Sequence, residues 1–218
     1  MRYIAALDHD HLDNGIFLTS FARSLSELQK NKNLRSIIVH TDSAYTDRVM
    51  QTGVMRDEAT IRSMKDLNKR LVALFADEGV STIGLNPYKK NFITLKDGKL
   101  SMDHTLFEGL TNRSVLLISS LVQNLDDKEV EAIDLASMIT FLQKELNADE
   151  LFIFSKSDEA EIFTQTDMPD ILSWQKMSSS FRQKEIPDDL SSLNYRVRLA
   201  TARDFNQLPS LNNTILIE

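Results

Sequence analysis

The sequence has no cysteine, which excludes disulfides, thiolate nucleophiles and cysteine-ligated zinc. Glycine is scarce too: six residues in 218, against about fifteen at an average usage near 7%. No window approaches the roughly eighteen uninterrupted apolar residues of a membrane span, and the opening MRYIAALDHDHLD turns acidic too early for a signal peptide. A cytoplasmic protein is expected. Basic charge is in deficit, with 25 Lys and Arg against 32 Asp and Glu and a net charge of −7. Such a surface repels nucleic acid and anionic lipid at long range, so neither is an expected partner. Internal repeats are lacking, and the only low-complexity feature is the serine triplet at 178–180.

What is present is enough apolar material, 42% of the residues, to bury one core, and a single domain over 1–218 is the economical expectation. Residues 3–7 form a short apolar run bounded by DHDHLDN, the pattern of a buried strand that delivers a polar loop to a sheet edge. Phe17, Phe21, Leu25 and Leu28 then recur at helical spacing. A second strand is expected at 36–40, and a second helical stripe at Met64, Leu67, Leu71 and Leu74, with Gly79 placed for a left-handed cap. Strand three falls at 82–85. Residues 92–99 suggest a hairpin turning on Asp97-Gly98. A helix near 103–110, a strand at 115–118, a helix at 133–146 and a strand at 151–154 follow. Beyond Lys156 the pattern weakens: only 195–200 and 214–217 read as strands, and 178–189 reads as a flexible connection. This alternation implies right-handed crossovers and a mainly parallel open sheet in a three-layer αβα sandwich, with functional loops outside the carboxyl ends of the strands.

Three stretches resemble the amino-acid kinase family, its N-acetylglutamate kinase branch in particular, over about residues 34–165. They are IIVH ending at His40; DEAT with LNKRLVALF and TIGLN; and EAIDLASMITFLQKELNADELFIFS. The resemblance implies an amino-acid-kinase or carbamate-kinase-like fold. It also implies a substrate-side half at about 1–150 for a small carboxylate, a shortened nucleotide-side half at about 151–218 for ATP and magnesium, and a homodimer.

The departures concern phosphate binding, which needs backbone N–H nests, lysines and magnesium. Where the family has Lys-x-Gly-Gly after the first strand, this chain has Ala6-Leu7-Asp8-His9. Where it has His-Gly-Gly-Gly, His40 is followed by Thr41, Asp42 and Ser43, whose side chains obstruct the close approach that glycine permits. No glycine lies in 8–14 or 41–52, and Asp8, Asp10 and Asp42 add charge of the wrong sign. The family's substrate-gripping arginine falls on Val54 without a gap, with Arg56 nearby. Asp134 matches the aspartate that organises the catalytic lysines, although Ala132 replaces the preceding asparagine. Ser155-Lys156 stands where Thr-Asp is usual, and no Gly-Gly-Met-x-x-Lys loop is found.

The candidates are therefore Asp134 as catalytic residue, His40, Asp42 and Arg56 for substrate, and Ser155 and Lys156 for nucleotide. Against these stand ordinary roles: helix capping for Asp134, a strand-end polar residue for His40, a surface helix start for Arg56. Asp8, His9, Asp10 and His11 carry donors that suit a divalent metal, although a solvated acidic loop is the commoner outcome. The leading expectation is a catalytically degenerate pseudoenzyme with no cofactor, acting as a ligand-binding or interaction protein. The rivals are a divergent Mg-ATP-dependent kinase acting on a carboxylate of an N-acylated amino acid, and a metal-dependent enzyme using the Asp8 loop.

Overall fold

The computed structural model describes residues 1–31, 33–110, 113–157 and 171–218. The elements run, in chain order, β1 (Arg2–Leu7), α1 (His9–Leu12), α2 (Gly15–Leu28), β2 (Arg35–His40), α3 (Tyr45–Met50), α4 (Arg56–Asp77), β3 (Thr82–Leu85), β4 (Ile93–Lys96), β5 (Lys99–Met102), α5 (His104–Glu108) and β6 (Val115–Ser119). Then come β7 (Leu121–Asn124), β8 (Val130–Ala132), α6 (Leu135–Leu146), β9 (Glu150–Phe154), β10 (Ile171–Leu172), α7 (Ser179–Glu185), β11 (Val197–Ala200) and β12 (Ile215–Ile217). Among the described residues no helix is long and apolar enough to cross a membrane.

Eight strands form the main sheet in the order β10-β12-β11-β9-β1-β2-β6-β3. Pairing is parallel throughout except between β11 and β12. The central strands are apolar on both sides because each face is covered. Tyr3, Ala5 and Leu7 join α2, α4 and Phe205 in one core, while Ile4 and Ala6 join α6 and Phe107 in the other. The expected α/β sandwich with a mainly parallel sheet is thus what the chain forms. In the first core Phe21, Phe154 and Phe205 meet with ring centroids 5.1–5.4 Å apart, a spacing at which aromatic pairs add about 0.5–1.5 kcal/mol beyond burial.

Local signals act as expected at several boundaries. Gly79 has φ +79° just past α4, and Asp97 and Gly98, both at positive φ, turn the β4–β5 hairpin. Asp134 is the N-cap of α6. Three expectations need correction. The Asp8 loop is not a loop: Asp8 caps the short helix α1. Residues 178–189 are not a loose connection, since the Ser178 side chain accepts from the Phe181 N–H to start α7, and Glu185, Ile186 and Leu190 are buried. The hairpin belongs to a second four-stranded sheet, β5-β4-β7-β8, whose short β7 and β8 gave too few residues to show a period. The end of the resembling region, 158–165, lies outside the described residues.

Candidate functional site

Strand order reverses at β1: β2, β6 and β3 lie on one side, β9 and β11 on the other. Open α/β sheets place ligands outside the carboxyl ends of the strands at such a switch point. Here the segments after β1, β2 and β9 meet residues 185–189, and polar side chains fill the junction.

After β1, Asp8 is buried. Its Oδ1 accepts the backbone N–H groups of Asp10 and His11 at 3.0 and 3.3 Å, and its Oδ2 bonds His11 Nδ1. His11 Nε2 faces the Ser155 carbonyl at 3.0 Å. Both ring nitrogens therefore face oxygens, so the ring is fixed between the Asp8 carboxyl group on one side and the Ser155 carbonyl on the other. The His9 N–H donates to Asp189 Oδ2 at 2.9 Å, and the Ala44 N–H donates to Asp13 Oδ2 at 2.6 Å. Asp10 is exposed, and His9 Nδ1 lies 3.8 Å from Asp42. Asp8, His9, Asp10 and His11 therefore do not converge as a set. Among the described residues no three His, Cys, Asp or Glu are grouped to hold a metal ion, because consecutive residues of a helical turn point in different directions.

After β2, His40 is fully buried. Its Nδ1–H donates to the Thr41 carbonyl at 2.8 Å, and its Nε2 accepts from Asn68 Nδ2 at 3.0 Å. Burial is the main reason its pKa falls to about 4, against a smaller opposing effect of the Thr41 hydrogen bond. Asn68 reaches this position across Gly84, where an added Cβ would stand 2.5 Å from Asn68 Oδ1 and 2.9 Å from Val72. Asp42 accepts the Thr46 hydroxyl at 3.0 Å.

After β9, the Ser155 and Ser157 hydroxyls donate to the buried Glu185 carboxylate at 2.6 and 2.8 Å. Lys156 Nζ bonds Asp188 at 2.5 Å. Asp189 has its carboxyl pKa raised, first by partial burial and then by the charges of Asp8 and Asp42. The remaining candidates sit in ordinary roles. Asp134 is exposed and accepts the Ser137 N–H at 2.8 Å as the helix cap, and the exposed Arg56 pairs with Asp47 at 3.4 Å.

Sequence reasoning assigned His40 and Asp42 to substrate, Ser155 and Lys156 to nucleotide and the Asp8 loop to a metal; the structure brings the segments that carry them to one edge of the sheet. Sequence reasoning missed Asn68, Glu185 and Asp189. Asn68 had a readable signal: it falls between Met64, Leu67 and Leu71 on the apolar stripe of α4, where a polar side chain needs a buried partner.

No family model and no curated protein matches the sequence. Solved structures do. Aspartate kinase from Synechocystis superposes with a TM-score of 0.66 at 12% identity, covering 91% of this chain and 37% of that one. The chain has an amino-acid-kinase-like fold. An isopentenyl phosphate kinase matches over 100% of both chains with a TM-score of 0.60 and 15% identity. N-acetylglutamate synthase from Neisseria gonorrhoeae, complexed with coenzyme A and L-arginine, matches with a TM-score of 0.63 and 17% identity over 99% of this chain and 61% of that one. The chain therefore spans only part of the aspartate kinase and the synthase, and the likeness concerns the fold.

Proposed function

We propose that this protein is a catalytically degenerate relative of acetylglutamate kinase, a cytoplasmic homodimer that keeps the fold and serves as a ligand-binding or interaction protein. One observation carries the reading. At the switch point the backbone N–H groups of His9, Asp10, His11 and Ala44 are already held by the carboxylates of Asp189, Asp8 and Asp13. Phosphoryl-transfer sites aim such amides, with lysine and magnesium, at phosphate oxygens. Here the chain's own anions occupy them, so a triphosphate would meet negative charge and spent donors. The groups present do not fit Mg-ATP.

The rival, a divergent kinase acting on a carboxylate of an N-acylated amino acid, would have to recruit Asp134, His40, Arg56 and Lys156. Each of these is engaged with a partner in the chain. Calorimetric titration of the full chain with millimolar Mg-ATP, with and without N-acetylglutamate, tests the proposal. No saturable heat is expected, and clear nucleotide binding would overturn the degenerate reading in favour of the kinase.

A further inference from the structure

The opposite, amino edge of the sheet carries an arrangement of the other sign. Arg2 and Arg35 are register partners on the adjacent parallel strands β1 and β2, which sit about 4.8 Å apart. Both guanidinium groups lie against one ring, with Cζ 4.0 Å (Arg35) and 5.7 Å (Arg2) from the Phe107 centroid. Burial, and then the charge of Arg2, lower the Arg35 pKa. Two like charges are thus held together in a partly dry place.

Local structure accounts for part of this. Arg2 donates to the Leu146 carbonyl at the end of α6, and Arg35 donates at 3.5 Å to the Phe107 carbonyl in the last turn of α5. Helix carboxyl ends attract cations. Each guanidinium, however, has five N–H donors, and these two bonds use one apiece. The Nε of each is buried without a hydrogen-bond partner and is sealed from the pocket, while only Arg2 Nη1 and Arg35 Nη2 are used in these bonds, so a ligand would be met by the remaining Nη donors. Among the described residues Arg23, Arg56, Arg62, Arg196 and Arg198 pair with carboxylates, whereas the Arg2 and Arg35 guanidinium groups bond backbone carbonyls. An open pocket of about 420 Å³ adjoins the two arginines and is also lined by Asn33, Asn147 and Asp149. Asp149 Oδ2 is engaged by the Arg2 backbone N–H at 2.7 Å.

We infer that this pocket binds a small oxyanion, a phosphate or carboxylate group, clasped between the guanidinium forks of Arg2 and Arg35. Paired planar donors match such groups bidentately, and a bound anion relieves the repulsion that the fold imposes on the pair. Because Arg2 and Arg35 also contact the ends of α6 and α5, the ligand ties two helices to two strands. The inference does not rest on the reading of the carboxyl edge, and either can fail alone.

The test is thermal unfolding of the full chain in inorganic phosphate, in succinate and in sodium chloride at matched ionic strength, for the wild type, Arg2→Lys and Arg35→Lys. Lysine keeps the charge but loses the fork. A saturable rise in Tm of a few degrees with phosphate or succinate is expected in the wild type, with the apparent affinity reduced about tenfold in each variant. Phosphate also stabilises proteins generally by exclusion from their surface, so the deciding quantity is the difference between wild type and variant. Equal responses in all three proteins would overturn the inference. If the lysine variants do not fold, the ³¹P line of phosphate decides on the wild type: broadening relieved by succinate supports the site, and absence of broadening refutes it. The more effective anion identifies the ligand's acidic group.

Discussion

Acidification should expose the strain of keeping His40 neutral. In the folded chain its pKa is about 4, while in the unfolded chain it returns to the ordinary value near 6.5. Between these values the unfolded state binds a proton that the folded state refuses, so stability falls as pH falls. The contribution is fully present above pH 6.5. It declines by about 1.4 kcal/mol per unit below that and levels off near pH 4 after a loss of roughly 3 kcal/mol. At pH 5 the loss is roughly 2 kcal/mol by the same arithmetic. Other groups also titrate, so the measurement is a comparison. Urea unfolding of the wild type and of His40→Gln, at pH 7.5 and pH 5, isolates the histidine. Glutamine retains a donor and an acceptor but cannot take the proton, and its own packing cost does not vary with pH. The wild type should lose about 2 kcal/mol more than the variant over this interval. Parallel losses would refute the reasoning and mean that His40 is hydrated or charged in the folded chain.

Two further substitutions probe the same edge. Gly84→Ala should destabilise by about 1–3 kcal/mol, as overpacking does, because the new methyl group displaces Asn68 and Val72; an unchanged urea midpoint would mean that α4 shifts freely. Asp8→Asn should lower stability by about 1–3 kcal/mol, since both Asp8 and His11 are almost wholly buried and Asp8 Oδ2 is the partner of His11 Nδ1. A loss well below about 1 kcal/mol in chemical denaturation would mean that the asparagine side chain replaces those hydrogen bonds.

The strands at the centre of the sheet were legible because burial on both faces leaves continuous apolar runs such as Ile37, Ile38 and Val39. The long helices α2 and α4 were legible through one-sided spacing. Residues 178–189 were not, because α7 is short, begins with two serines after a serine cap and buries a carboxylate, which is held by Ser155 and Ser157, more than twenty residues earlier in the chain. For the site, the absence of glycine from 8–14 and 41–52 was visible in the sequence. What holds the backbone amides there was not, since Asp13 and Asp189 reach Ala44 and His9 only through tertiary contacts.

Those contacts set how hard it would be to open this edge to a phosphate ligand. Asp8, Asp13 and Asp189 behave as tethered competitors, present at effective concentrations on the order of millimolar or above without being added. Asp8 and Asp13 flank α1 and Asp189 comes from a distant segment, so removing one frees at most two of the four engaged amides and leaves the others blocked. Phosphate binding at this edge would need several coordinated changes, each of which first costs stability. The carboxyl edge of the sheet is thus guarded against added anions by the chain itself, and no single substitution opens it.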